Sequence, residues 1–147
     1  MSYLQRIREC NDGSTCCHRA LFVAGRHVGW LQPDFAHALR RWPEVFRVGG
    51  GAVWVRDDLG DFEARSRAVD SVVRACVEEG LIGHYLDEPY PVTPGRREDA
   101  VMWLDRGAAA RFGIRAFGQH LNGFVRREDS LWMWVARRSS DRRHAPG

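Results

Sequence analysis

Lysine is absent from this 147-residue chain, and all 22 basic residues are arginine. The absence excludes a Schiff-base or general-base lysine. It also excludes a Walker A phosphate loop, whose core is Gly-Lys-Ser/Thr. An arginine-favouring, GC-rich genome accounts for the bias without special arginine chemistry. No apolar run approaches the ~20 residues that a membrane-spanning helix needs. The start, MSYLQRIREC, lacks the apolar core of a secretory signal. No membrane partner and a cytoplasmic location are therefore the expectation. Cys10, Cys16, Cys17 and Cys76 form no C-x-x-C pair. Adjacent Cys16-Cys17 beside His18 fits tetrahedral zinc poorly, so free intracellular thiols are expected. No internal repeat and no Gly/Ser/Pro-rich linker divides the chain.

What is present is an ordinary globular composition, 44% hydrophobic and 28% charged. Its length suits one domain, or one domain and part of another. The net charge is only +3, with acidic residues interspersed among the arginines. No RRM, zinc-finger or helix-turn-helix signature appears, so nucleic acid is disfavoured as a partner.

Local patterns give an α+β order of elements. Ser2 and Gln5 make a capping box for a helix from Tyr3 to about Cys10, with Tyr3, Leu4 and Ile7 as its buried stripe. Leu21–Val23 and Val28–Leu31 flank Ala24-Gly25-Arg26-His27 as a β-hairpin. Pro33 suits the first turn of a helix that carries Phe35, Ala38, Leu39 and Trp42. Val45–Val48 and Ala52–Val55 surround Gly49-Gly50-Gly51. A phosphate loop should lead into a helix N-terminus, and this glycine run leads into a strand, so a hairpin turn is the reading.

Asp61–Glu79 is the strongest helix, with Phe62, Val69, Val72, Val73, Cys76 and Val77 on one face and Gly80 as its stop. The opposite face, with Arg65, Arg67, Asp70, Arg74 and Glu78, reads as solvated. His84–Arg97 holds Pro89, Pro91 and Pro94 and reads as irregular. Within it, Asp87–Val92 (DEPYPV) offers a recognition loop that Tyr85 and Tyr90 could line, or else a packed connection. Val101–Leu104 reads as a strand and Ala108–Phe112 as a helical turn ended by Gly113. Arg115–Arg126 and Leu131–Arg138 form a last hairpin around Arg127–Ser130.

Five segments in this order carry a family resemblance: SYLQRIREC, GRHVGWLQPDF, DDLGDFEARSRAV, HYLDEPYPV and FGIRAFGQHLNGFV. Together they resemble the domain of unknown function that precedes the Nudix domain in thiamine-diphosphate-related hydrolases. The resemblance covers nearly the whole chain and rests on order and spacing, since no single motif is diagnostic. It implies an accessory α+β domain over 1–112, with helices packed on antiparallel β-hairpins. Residues 113–147 would then be the opening hairpin of a Nudix-like sheet.

Such hydrolases are implied to cleave diphosphate bonds with Mg²⁺, held by glutamates of the box G-x5-E-x7-R-E-U-x-E-E-x-G-U. No such box occurs here. Arg97-Glu98 and Arg127-Glu128 lack the following glutamate pair. No catalytic or metal-binding residue carries over, and Mg²⁺ is expected only with a complete Nudix domain. The expected partner is that missing Nudix domain or a second copy of the chain, with a diphosphate-containing small molecule as ligand. The expectation is a substrate-positioning domain, inactive alone. A stand-alone interaction or small-ligand-binding module is the alternative.

Candidate ligand contacts follow from the same placement. His120 and Asn122 share one face of their strand by the period-two rule. Their donors and acceptors, with those of Gln119, suit a pyrimidine ring or diphosphate oxygens; the other reading is hydrogen-bonded structural residues at a domain junction. Tyr90 joins them from the DEPYPV segment. Arg137 and Arg138 open a basic tail suited to phosphate oxygens, or to solvent alone. Trp132 and Trp134 share a face, which reads as core or subunit interface if buried, or as a stacking surface for an aromatic ligand if exposed.

Overall fold

The computed structural model describes residues 2–10, 17–118 and 121–137, and the chain divides into two compact units between Ala116 and Phe117. The first unit is α+β. It begins with α1 (Tyr3–Cys10), whose first turn is closed by Ser2 Oγ accepting from the Gln5 amide at 3.2 Å. The Ser2 half of the capping box is as the sequence reads, but the buried stripe is not. Tyr3, Leu4 and Ile7 are 83%, 66% and 45% exposed. Helical spacing creates an apolar face but does not supply an element to cover it, and Tyr3, Leu4 and Ile7 are not among the core cluster.

The centre of the first unit is a four-stranded sheet built from two hairpins. Strands β1 (Arg19–Val23) and β2 (Arg26–Leu31) turn at Ala24-Gly25, and β3 (Phe46–Gly49) and β4 (Ala52–Val55) turn at Gly50-Gly51. Both hairpins are antiparallel as predicted. They join through a parallel pairing of β1 with β4, giving the order β2-β1-β4-β3. Alternation sends Leu21, Val23, Val53 and Val55 inward. On the other face Phe22 stacks on its register partner Trp54, and Arg47 lies 4.1 Å from the Trp54 ring centroid.

Helix α2 (Pro33–Ala38) follows β2 with Pro33 in its first turn, and a 3-10 turn (Leu39–Arg41) continues it. The long helix α3 (Phe62–Glu78) has both ends fixed by sequence. Asp61 accepts from the Ala64 amide, and Gly80 takes φ +74° just past the end. There the Leu81 amide reaches the Cys76 carbonyl and the Gly80 amide reaches that of Val77, which makes a Schellman stop. Its buried face is Ser66, Val69, Val72, Val73 and Cys76. Each fully buried valine there contributes about 1.5–3 kcal/mol.

The proline-rich segment is not irregular throughout. It contains β5 (Pro89–Val92), paired antiparallel with β6 (Met102–Asp105). The Arg106 amide donates to the Glu88 carbonyl at 2.8 Å, so the backbone of residues 88, 90 and 92 faces β6. Pro89 and Pro91 therefore turn their missing donors away from the ladder, which is where a strand tolerates proline. Ser66 ties α3 to the free side of β6: its Oγ accepts from the Trp103 amide at 2.9 Å and donates to the Phe62 carbonyl at 2.7 Å. A turn over 106–113 closes the unit, and Ile114 bridges to Gly29. Gly113 and Ile114 thus belong to the first unit.

The second unit holds one hairpin, β7 (Phe124–Arg127) with β8 (Ser130–Met133). Both strands are shorter than the sequence reading, and every residue of both is exposed.

Candidate functional site

A cleft of about 300 Å³ lies where α3 meets the segment before β5 and the start of that strand. Ser66, Arg67 and Asp70 of α3 form one wall, Tyr85, Asp87, Glu88 and Pro89 a second, and Trp103, Leu104 and Asp105 of β6 the floor. Asp105 builds it. This buried carboxylate accepts from the Leu86, Glu88 and Gly107 amides at 2.8–3.2 Å, folding residues 86–88 over the end of β6. Between Leu86 and Glu88, Asp87 takes φ +58°, a conformation that aspartate tolerates better than most side chains.

A second network locks the wall. Asp70 accepts from the Tyr85 hydroxyl at 2.8 Å and from Arg74 Nε at 2.8 Å, and the Arg74 guanidinium covers the Tyr85 ring at 4.0 Å. Burial, reinforced by the hydrogen bond to Asp70, pushes the Tyr85 phenol up to about 12. That group is a fixed neutral donor near neutral pH and not a base. Glu88 is paired with Arg106. Arg67 and Asp87 make no ion pair or hydrogen bond among the described residues. Trp103, 37% exposed and edge-on to Phe62, supplies the apolar surface. The cleft therefore offers a ring face, a locked phenol, and one carboxylate and one guanidinium without an ion pair or hydrogen bond among the described residues.

These carboxylates do not fit Mg²⁺. Asp105 spends its oxygens on backbone amides, Asp70 on Tyr85 and Arg74, and Glu88 on Arg106. Among the described residues no three His, Cys, Asp or Glu side chains converge to hold a metal ion.

Of the residues singled out in the sequence, Gln119, His120 and Arg138 lie outside the described residues. Asn122 and Arg137 are exposed, on either side of the β7–β8 hairpin in the second unit. Tyr90 is half-buried in β5 and packs against the core, while Tyr85, named with it, lines the cleft. Trp132 and Trp134 are 59% and 73% exposed, not core. The zinc question at Cys10–His18 also falls largely outside the described residues; Cys17 is exposed and Cys76 buried, and neither is in a disulfide. Sequence reasoning offered the Asp87–Val92 segment, whose Asp87 lines the cleft, but missed Arg67, Asp70 and Trp103. The available signal was Tyr85 in HYLDEPYPV, a phenol needing a polar partner on an adjoining face.

The first unit is an α+β module with a ligand-sized cleft. The chain belongs to the family described as "Domain of unknown function (DUF4743)", whose model matches residues 2–116. It is similar to Nudix hydrolase 24, chloroplastic, of Arabidopsis thaliana, at 29% identity over 99% of this chain and 41% of that protein. It is equally similar to Nudix hydrolase 20, chloroplastic, of the same plant, at 29% identity over 99% of this chain and 42% of that protein. In both, the matching part is the N-terminal region. The chain spans about two-fifths of the length of the curated relatives it matches. No helix among the described residues is long and apolar enough to cross a membrane.

Proposed function

We propose that this chain is the substrate-positioning domain of a Nudix-type diphosphate hydrolase, without turnover of its own. The match to the N-terminal regions of two Nudix hydrolases carries the reading. Its support within the chain is the absence of a Nudix box from these 147 residues. Mg²⁺ and the attacking water would belong to the catalytic domain.

The proposed substrate class is thiamine diphosphate and related compounds. The cleft suits the cationic heterocycle of such a molecule: Trp103 supplies a π face and Asp87 a carboxylate. Ring binding here would leave the diphosphate to the catalytic domain, so the contacts would lower KM with little effect on kcat.

The test joins this chain to the catalytic region of Arabidopsis Nudix hydrolase 24 and follows Mg²⁺-dependent phosphate release from thiamine diphosphate. The chain alone should be inert. In the fusion, Asp87→Asn and Trp103→Ala should raise KM several-fold at unchanged kcat. Turnover by the chain alone, or kinetics identical with and without this domain, would overturn the proposal.

A second reading, an interaction module pairing with a second copy, is favoured by one observation. Leu121, Phe124, Leu131, Trp132, Met133, Trp134 and Val135 of the second unit are all more than half exposed. Self-association through that surface would distinguish it.

A further inference from the structure

The first unit contains a smaller cavity of about 150 Å³, lined by Arg19, His37, Arg40 and the run Gly49-Gly50-Gly51, with small apolar side chains between them. Arg19 opens β1. His37 and Arg40 stand three residues apart along α2 and its 3-10 continuation, and so share a face. The cavity lining includes no carboxylate.

Elsewhere six of the described arginines are neutralised by a carboxylate, and others, Arg67 among them, are not. Arg41, Arg56, Arg74, Arg96, Arg106 and Arg111 are each paired with a carboxylate. Arg19 and Arg40 have no such partner among the described residues, although Arg40 adjoins paired Arg41. Unpaired guanidiniums and an imidazole converge on one concave spot.

The glycine run completes the wall. Gly50 and Gly51 take φ +52° and +82°, the left-handed pair that a two-residue hairpin turn requires. No side chain from the turn covers the cavity. A Cβ at Gly51 would come 3.9 Å from Arg19 Nη1, so the Arg19 guanidinium reaches this turn. The Gly50 and Gly51 amides donate to no backbone carbonyl among the described residues and remain available. The turn is not a phosphate loop at a helix N-terminus. It contributes by being bare and by leaving amides open beside two arginines.

We propose that this cavity binds a phosphoryl oxyanion, held by Arg19 and Arg40 with His37 beside them. Guanidinium forks match the paired oxygens of such a group. The size agrees: about 150 Å³ is below the ~300 Å³ at which pockets begin to hold drug-sized molecules. The group could be free phosphate or the end of a phosphorylated small molecule. The site shares no lining residue with the cleft at Trp103 and does not depend on the proposed substrate.

Titration calorimetry on the 147-residue chain at low salt tests it, with sodium phosphate, sodium pyrophosphate and sodium chloride as probes. Saturable binding of phosphate or pyrophosphate, but not chloride, is expected. R19Q and R40Q should each weaken it roughly tenfold or more, since each removes charged hydrogen bonds. R97Q, at an exposed site outside the cavity, and D87N, in the cleft, should leave it unchanged. Both cavity arginines are exposed, so melting temperatures should stay at the wild-type value and confirm folded variants. Tighter pyrophosphate binding would identify a diphosphate ligand; equal or tighter phosphate binding would identify the free ion. Either supports the site. No saturable heat with either anion, equal response to chloride, or undiminished binding by the R19Q/R40Q protein would overturn it.

Discussion

Gly113 lies directly against the backbone of Trp30. Its carbonyl accepts from the Trp30 amide at 3.2 Å, and a Cβ on Gly113 would overlap the Trp30 carbonyl oxygen. Its φ is +55°, which an L side chain adopts only with strain. Gly29 is its counterpart, where a Cβ would fall 2.6 Å from the Phe112 carbonyl oxygen. Only glycines let the end of the first unit seal the edge of β2. Gly113→Ala and Gly29→Ala should each cost about 2–4 kcal/mol, measured by urea unfolding. Gly83→Ala, where a Cβ meets nothing, should cost little.

Asp105 organises the cleft, and removing it should do more than remove a charge. Asp105→Ala would leave the Leu86, Glu88 and Gly107 amides without their acceptor. At about 1–3 kcal/mol for an unsatisfied buried donor, a loss near 3 kcal/mol is expected. Asp105→Asn keeps one acceptor oxygen and should lose about half of that. Amide hydrogen exchange at residues 86 and 88 should accelerate in both variants before global unfolding. Unchanged exchange at those amides would rule out this role.

The Tyr85 phenol gives a pH signature. Its pKa rises from the usual 10.0 to about 12, first because it is withdrawn from water and second because it donates to Asp70. The folded pKa is raised, so this group's contribution to stability is fully present below pH 10.0 and is lost as pH climbs through about 12. Ultraviolet titration of a Tyr3→Phe/Tyr90→Phe protein, in which Tyr85 is the remaining tyrosine, should show ionisation near the raised value. Adding Asp70→Asn should bring it down, because the carboxylate's charge and hydrogen bond both oppose ionisation.

The elements were legible where the deciding signals are local. The α3 face could be read from the spacing of Val69, Val72, Val73 and Cys76, and its ends from Asp61 and Gly80. Both first-unit hairpins could be read from glycines between apolar runs. What the sequence hid depends on distant partners. Pro89 and Pro91 read as breakers because their orientation relative to β6 is a property of the pairing. The parallel join of β1 to β4 brings together segments about thirty residues apart and leaves no local trace. Asp70 and Arg67 lie on a charged helix face that looks solvated until residues 85–89 fold across it. The stripe of α1 shows the reverse error, an apolar face that stays exposed.

The second unit should make this chain associate. A two-stranded hairpin is at best marginally stable alone, and here Phe124, Leu131, Trp132 and Met133 are 59–67% exposed along both strands. Arg127, 5.9 Å from the Trp132 ring, covers little of that surface. Both outer edges of the ladder also carry open backbone groups that a second copy can pair with. Sedimentation velocity should therefore show a dimer or larger species that grows with protein concentration. Trp132→Ser with Leu131→Ser should return the protein to a monomer near 16.8 kDa. The same substitutions should leave the first unit's thermal unfolding intact, because none of its core residues lies beyond Ala116. A wild-type chain that sediments as a monomer at high concentration would remove the second-copy reading and leave a Nudix catalytic domain as the partner for this hairpin.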